Sequence, residues 1–330
     1  MALYRILSLD GGGVRGLLTA VLLEQLEQRL PGWLQEVDLI AGTSAGGIIA
    51  VGLADGMTAQ EVRAFFYTKT PIIFADSLTD DVQDLGNFIG ADYGNRGLRQ
   101  ELIRVFGTRT LGELKRQVLI PAFDLDNGED HSPRHWRPRY FHNYPCATTY
   151  CHERIVDVAL RTSAAPTVFP TIDGYVDGGV VANNPAMVAL SHTLDRSMEH
   201  RPMPELAQVR LLSIGTGLVN TYIPGQRHDW GVTQWAKPLI QIMLDGLIGV
   251  PDYQCNQLLG NQYHRLNYSY GHQEEVDIDD WRKRDLLVAI GEQKMQAELD
   301  RCARWLERQW QTEESLAANQ ASDLPLNPAV

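Results

Sequence analysis

Short β-favouring apolar runs alternate along the chain with stretches whose apolar residues recur at three- and four-residue spacing. Arg5 to Leu9 is one such run and ends at Asp10-Gly11-Gly12-Gly13, after which Leu17, Leu18, Val21, Leu22, Leu26 and Leu30 keep helical spacing up to Pro31 and Gly32. The pattern predicts strand, glycine turn, helix. Val37 to Ala41 predicts a second strand, running into Gly42-Thr43-Ser44-Ala45-Gly46-Gly47 and an apolar helix to about Ala54. The same unit thus occurs twice. Thr58 with Glu61 spells a capping box for a helix through Val62, Phe65 and Phe66, which Pro71 is expected to stop.

From Pro71 to about Asn95 the chain reads as an acidic, irregular loop in which Pro71 to Phe74 is an isolated apolar patch. Beyond it, Leu98 to Phe106 predicts a helix, Val118 to Phe123 and Arg139 to Tyr144 strands, and Ile155 to Leu160 a helix. A short strand then ends at Tyr175-Val176-Asp177-Gly178-Gly179, Asn184 and Pro185 open a helix as N-cap and first residue, and Val209 to Ile214 is another buried-type strand. Asp285 to Trp310 has helical periodicity. Such alternation argues for an α/β fold on a largely parallel sheet. Residues 1–312 read as one domain, with a motif-bearing core over 4–218, a helical C-terminal part over about 230–312, and a flexible tail at 313–330.

Charge narrows the partners. Forty-one acidic against 29 basic residues give a formal charge of −12, which repels phosphate backbones and excludes nucleic acid as an expected partner. Adsorption to an anionic bilayer by charge is disfavoured on the same ground, so membrane contact has to be local and apolar. Cys146, Cys151, Cys255 and Cys302 read as free thiols, and His142, Cys146, Cys151 and His152 fit no standard zinc spacing, so neither metal nor cofactor is expected. The first residues lack the layout of a secretory signal, and the longest apolar window, Pro238 to Val250, is broken by Gln241 and Asp245. A cytoplasmic protein, peripheral at a membrane if it meets one, is the expectation.

Gly42-Thr43-Ser44-Ala45-Gly46 is a G-x-S-x-G between a predicted strand and a predicted helix, the context in which it forms a nucleophile elbow. Small residues at Ala45, Gly46 and Gly47 meet the steric demand of that turn. The competing reading is that Ser44 merely caps the helix. Asp10 to Gly16 spells the dinucleotide fingerprint G-x-G-x-x-G, yet Glu36 and Asp38 precede or begin the second strand instead of closing it, so no residue stands ready for a ribose. Consecutive glycines also let backbone N–H groups crowd one anionic oxygen. On that reading Gly12 and Gly13 are the donors and Gly11 shapes the turn. Arg15 either adds positive charge near the oxyanion or a lipid phosphate, or braces the loop through a salt bridge. None of the nine histidines has a distinctive setting, whereas Asp177 ends a strand in glycines, and ligands of open α/β sheets gather at carboxyl ends.

These elements together resemble a patatin-like phospholipase. The glycine loop Asp10 to Gly16, the elbow Gly42 to Gly46, Thr162-Ser163-Ala164-Ala165-Pro166, Asp177-Gly178-Gly179 with Asn183-Asn184-Pro185, and Gly215-Thr216-Gly217 follow the family's order over roughly Tyr4 to Leu218. The resemblance implies a three-layer α/β/α fold, Ser44 as nucleophile, Asp177 as its partner in a Ser-Asp dyad, and Gly12 and Gly13 as oxyanion hole. Gly11, Arg15, Gly16, Gly42, Ala45, Gly46, Gly178 and Gly179 are implied in support. It further implies hydrolysis of fatty acyl esters of phospholipids, lysophospholipids or related glycerolipids at a membrane or micelle surface. A cyclic-nucleotide activator is a candidate partner, since some bacterial members of this size respond to one. A silent lipid-binding module and a dinucleotide-binding oxidoreductase are the rival classes.

Overall fold

A computed structural model describes residues 2–74, 93–128, 132–144, 150–195, 203–219, 222–223 and 229–310. The sequence-predicted loop at 75–92, Cys146, His131, His200, His228 and the tail at 313–330 lie outside the described residues. Strands β1 (Tyr4–Leu9), β2 (Leu39–Gly42), β3 (Gln117–Asp124), β6 (Val209–Ile214) and β8 (Tyr263–Leu266) form the parallel body of the central sheet. The spatial order is β4-β3-β2-β1-β6-β8. Strands β4 (Arg137–His142) and β5 (Tyr175–Asp177) both pair antiparallel with β3. A separate parallel pair joins β7 (Leu218–Val219) and β9 (Ser269–Tyr270).

Both faces of the sheet are covered, which is why its strands read as apolar runs more than as alternations. Successive side chains of a strand point to opposite faces. Leu7, Leu9, Ile40, Ile120, Leu212 and Ile214 enter a core shared with α1 (Gly16–Arg29), α2 (Ala45–Asp55), α3 (Ala59–Ile73), α4 (Arg96–Phe106) and α5 (Ile155–Thr162). Ile6, Leu39, Ala41, Leu119 and Leu211 enter the opposite one, where α7 (Ala186–Thr193) and α8 (Val232–Leu259) supply Ala186, Leu190, Cys255 and Leu259. The one-turn α6 (Gly179–Ala182) precedes α7, and α9 (Arg284–Ala289) and α10 (Gln296–Gln309) return to the first face. The architecture is a three-layer α/β/α fold.

Two sequence expectations are corrected. Pro71 does not stop α3, which runs on to Ile73: in the last turn a proline removes one bond, to the Tyr67 carbonyl, and Phe74 N–H still reaches Thr70 O at 3.0 Å. The C-terminal region is not only helical, because β8 extends the sheet beside β6. With His264 and Arg265 between Tyr263 and Leu266, that strand lacks the apolar run that marks the others.

Candidate active site

The serine turn is held by main-chain crowding. β2 stops at Gly42, and Ser44 lies at φ 54°, ψ −122°, a region that side-chain-bearing residues enter only under strain. A Cβ at Gly42 would stand 2.1 Å from the Gly46 carbonyl oxygen, and one at Gly46 2.3 Å from that of Leu9. Both positions therefore exclude any other residue. Ser44 sits at the N-cap of α2 but its side chain makes no capping bond, which removes the capping alternative. Its backbone N–H donates instead to Thr162 Oγ1 at 3.0 Å, and Thr162 Oγ1 donates to Pro121 O at 2.6 Å.

Asp177 reaches Ser44 by a different route from the one its strand-end position suggested. On a single edge of β3, β2 pairs with Gln117 to Leu119 and β5 pairs with Ala122 to Asp124. β2 runs parallel to β3 and β5 antiparallel, so their carboxyl ends meet head to head. Thr162 O and Ala164 O accept the N–H groups of Gly178 and Asp177, at 3.1 and 2.9 Å, and a Cβ at Gly178 would stand 2.2 Å from Pro121 O. Asp177 Oδ1 accepts from Gly179 N–H at 2.6 Å, and the carboxyl shares the cavity wall with Ser44. Burial pushes its pKa up to about 7, against the opposing pull of the Gly179 N–H and the Ser44 hydroxyl. An ordinary carboxyl is a poor proton acceptor for a hydroxyl at neutral pH; this one is matched to it.

The glycine loop after β1 is fastened from outside. Gly11 N–H donates to Asn183 O at 2.9 Å, Thr216 Oγ1 donates to Gly11 O at 2.9 Å, and Val14 N–H donates to Ile278 O at 2.8 Å. Arg265, from β8, donates to both carboxylate oxygens of Asp10 and at 2.7 Å to Ser213 Oγ. Burial works against the guanidinium charge, but Asp10 beside it outweighs this and holds Arg265 above its ordinary range. Gly16 lets Phe66 and Ala45 pack close, since a Cβ there would stand 2.7 and 2.9 Å from them. Among the described residues, no protein acceptor takes the N–H of Gly12 or Gly13. Arg15 is buried, touches Gly12 O through Nε at 3.5 Å and makes no ion pair among the described residues. Burial lowers its pKa.

These groups open into a cavity of about 1020 Å³ whose wall includes Ser44, Asp177, Arg15, Phe74, Phe169 and Met243. Phe74, Tyr93 and Phe169 pack with ring centroids 5.1 to 6.0 Å apart, so the Pro71 to Phe74 patch ends as cavity wall. The other wall is α8, fixed by a proline. Pro251 has no N–H for the Leu247 carbonyl, and Asn184 N–H takes that acceptor at 3.1 Å while Asn184 Nδ2 donates to Ile248 O at 3.3 Å. Asn184 Oδ1 also accepts from Ala186 N–H at 3.0 Å, but α7 begins one residue later than expected, at Ala186, with Pro185 and not Asn184 at its N-cap. Among the described residues no histidine lines the cavity. Thr162 stood in the sequence only as part of the Thr162 to Pro166 run, without a role, and Arg265 was not singled out because its partner lies 255 positions away.

A three-layer sheet carrying a strained serine turn on its carboxyl edge is the architecture of patatin-type lipid hydrolases. Residues 7–190 match the family model described as patatin-like phospholipase, and the chain belongs to that family. The cGAMP-activated phospholipase of Pseudomonas aeruginosa is 34% identical over 273 residues, covering 80% of this chain and 78% of that protein. Protein teg of Priestia megaterium is 30% identical over 295 residues, covering 81% and 88%. The crystal structure of VipD from Legionella pneumophila shows a distant likeness, with TM-score 0.40 and 13% identity over 87% of this chain and 67% of that one.

Proposed function

We propose that this enzyme hydrolyses fatty acyl esters of phospholipids, lysophospholipids or related glycerolipids through a Ser44-Asp177 dyad. Asp177 accepts the Ser44 proton as Oγ bonds to the ester carbonyl carbon. The carbonyl oxygen takes the negative charge against the N–H groups of Gly12 and Gly13, whose donors have no other protein acceptor among the described residues. Asp177 then protonates the departing alkoxide. Water, losing one proton to Asp177, then bonds to the acyl carbon, and as the bond to Ser44 Oγ breaks Asp177 returns that proton to Oγ, releasing the fatty acid and restoring the free enzyme. Arg15, uncompensated at the cavity wall, faces the phosphate of a phospholipid. The observation that carries this reading is that Ser44 and a buried Asp177, its pKa pushed up to about 7, meet on one cavity wall.

The test is release of labelled fatty acid from phosphatidylcholine and lysophosphatidylcholine. Ser44→Ala and Asp177→Asn should each lower turnover by about 10⁴-fold or more, as loss of a dyad member does in other serine hydrolases. Retained turnover in both variants sinks the proposal, and retained lipid binding without turnover in the parent chain supports the silent-module alternative. Wild-type kcat/KM should climb with pH through about 7 and then level, because the base works deprotonated. A relative named for activation by cGAMP makes cGAMP the activator to include in these assays. We also infer that residues 1–312 fold as one unit, since Trp310 O accepts from Arg5 Nε at 2.6 Å and the Trp310 ring packs on Trp33; a single unfolding transition is expected.

A further inference from the structure

The helix that walls the cavity has its apolar side turned outwards. On a surface helix the apolar stripe normally faces the core. α8 buries Ile248, Cys255 and Leu259, yet on the opposite side Leu239 is 48%, Met243 50%, Val250 56% and Tyr253 66% exposed. Val232 and Ile242 extend the stripe, and Gly246 and Gly249 leave it smooth. At the helical rise it runs about 30 Å. Among the α8 side chains described, none of the exposed ones is charged. Aromatic residues stand at its margins: Tyr222 is 77% exposed, and Trp230 and Trp235 pack edge to face at 5.0 Å.

Two observations identify what covers it. Ile242 and Met243 belong both to this exposed face and to the wall of the cavity that holds Ser44, so the occupant lies against the cavity mouth. A protein seated there would shut the mouth to substrate, whereas a lipid layer supplies substrate through it. The aromatic margins fit the amphipathic boundary of a bilayer, where rings with a polar tip collect. Charge selects the kind of bilayer: with −12 overall and an uncharged face, anionic lipid gains nothing. We propose that the exposed face of α8 docks on zwitterionic phospholipid bilayers and delivers lipid directly into the Ser44 cavity. The delivery step rests on the proposed hydrolysis; the docking does not.

The experiment is flotation with phosphatidylcholine vesicles, using the full chain carrying Ser44→Ala so that the lipid stays intact. Binding is expected without activator, and changed less than about twofold when salt rises from about 0.05 to about 0.5 M, as apolar contact requires. Leu239→Ser with Val250→Ser, neither of which lines the cavity, should weaken vesicle binding by about 10-fold or more. In the chain with Ser44 intact, the same pair should slow hydrolysis of vesicle phospholipid by a similar factor, while leaving hydrolysis of a soluble short-chain ester unchanged. No vesicle binding by the Ser44→Ala chain, or equal binding by the double variant, overturns docking. If the double variant instead turns a dimer into a monomer with flotation unaltered, the face belongs to a second copy and the proposal is wrong. Flotation that behaves as expected in a chain with no turnover leaves docking standing and rejects only the hydrolysis.

Discussion

Asp10 and Asp177 are both buried carboxylates beside a glycine-rich turn, and the protein treats them in opposite ways. Asp10 is clasped by Arg265 through both oxygens. Asp177 faces a hydroxyl and one backbone N–H, with no cation among its partners. Burial raises the pKa of both carboxyls, but at Asp10 the charge and bonds of Arg265 oppose it and hold the turn in place. At Asp177 only a hydroxyl and a backbone N–H oppose it, the condition for moving a proton near neutral pH. On the proposed mechanism, the contrast separates what fixes the site from what reacts in it.

Breaking the compensation is expected to have the largest effect. Arg265→Met leaves Asp10 as a lone buried charge and should lower stability by about 3 to 5 kcal/mol in denaturant unfolding. Adding Asp10→Asn should return much of that loss. If the single variant is as stable as its parent, Asp10 is not held by the ion pair and the contrast collapses. Gly46→Ala strikes both turns at once, because its Cβ would stand 2.3 Å from Leu9 O and 2.6 Å from Asp10 O. Displacing the serine turn from the glycine loop should lower kcat by about 100-fold or more. Activity near that of the parent would mean that the two turns move independently.

How much of this was legible depended on how far each partner lies along the chain. The Gly42 to Gly46 turn announces itself because its steric needs are met by its own residues. The strands β1, β2, β3 and β6 are equally plain, being apolar runs buried on both faces. Arg265 carries no local mark: inside Tyr263-His264-Arg265-Leu266 it reads as a polar residue of an indistinct segment, and only the β6 to β8 pairing brings it to Asp10. Asp177 was found by its glycines, but the head-to-head meeting of β2 and β5 depends on both sharing one edge of β3, which no periodicity encodes. Pro71 and Pro251 show the same limit, since each is tolerated for reasons of position or of a distant donor.

Asp177→Asn tests the other half of the contrast. The folded-state pKa of about 7 lies above the ordinary carboxyl value of 3.8, so near pH 5 the folded protein holds a proton that the unfolded chain releases. Stability from this group is therefore fully present below 3.8 and is lost as pH rises towards 7. Asparagine removes that slope. The variant, inactive as it should be, is expected to gain on its parent by on the order of 2 kcal/mol between about pH 5 and about pH 8. A constant difference across that range would show that Asp177 is not buried with its charge uncompensated.

The smallest expected effect is the most local. Thr162 Oγ1 accepts from Ser44 N–H and donates to Pro121 O, linking the serine turn to the strand whose other neighbour on that edge carries Asp177. Thr162→Val keeps the shape and the methyl contact near Gly47 but leaves that N–H without its partner, a cost of about 1 to 2 kcal/mol. As the serine drifts, kcat should drop about 10-fold with KM little changed. Moving the Ser44 hydroxyl away also relieves one of the two influences that lower the Asp177 pKa, so the midpoint of the pH profile should move upwards from about 7. Thr162→Ser restores the hydroxyl and should restore both rate and midpoint. A purely structural role would lower stability in the valine variant without moving the midpoint, and that outcome would detach Thr162 from the chemistry.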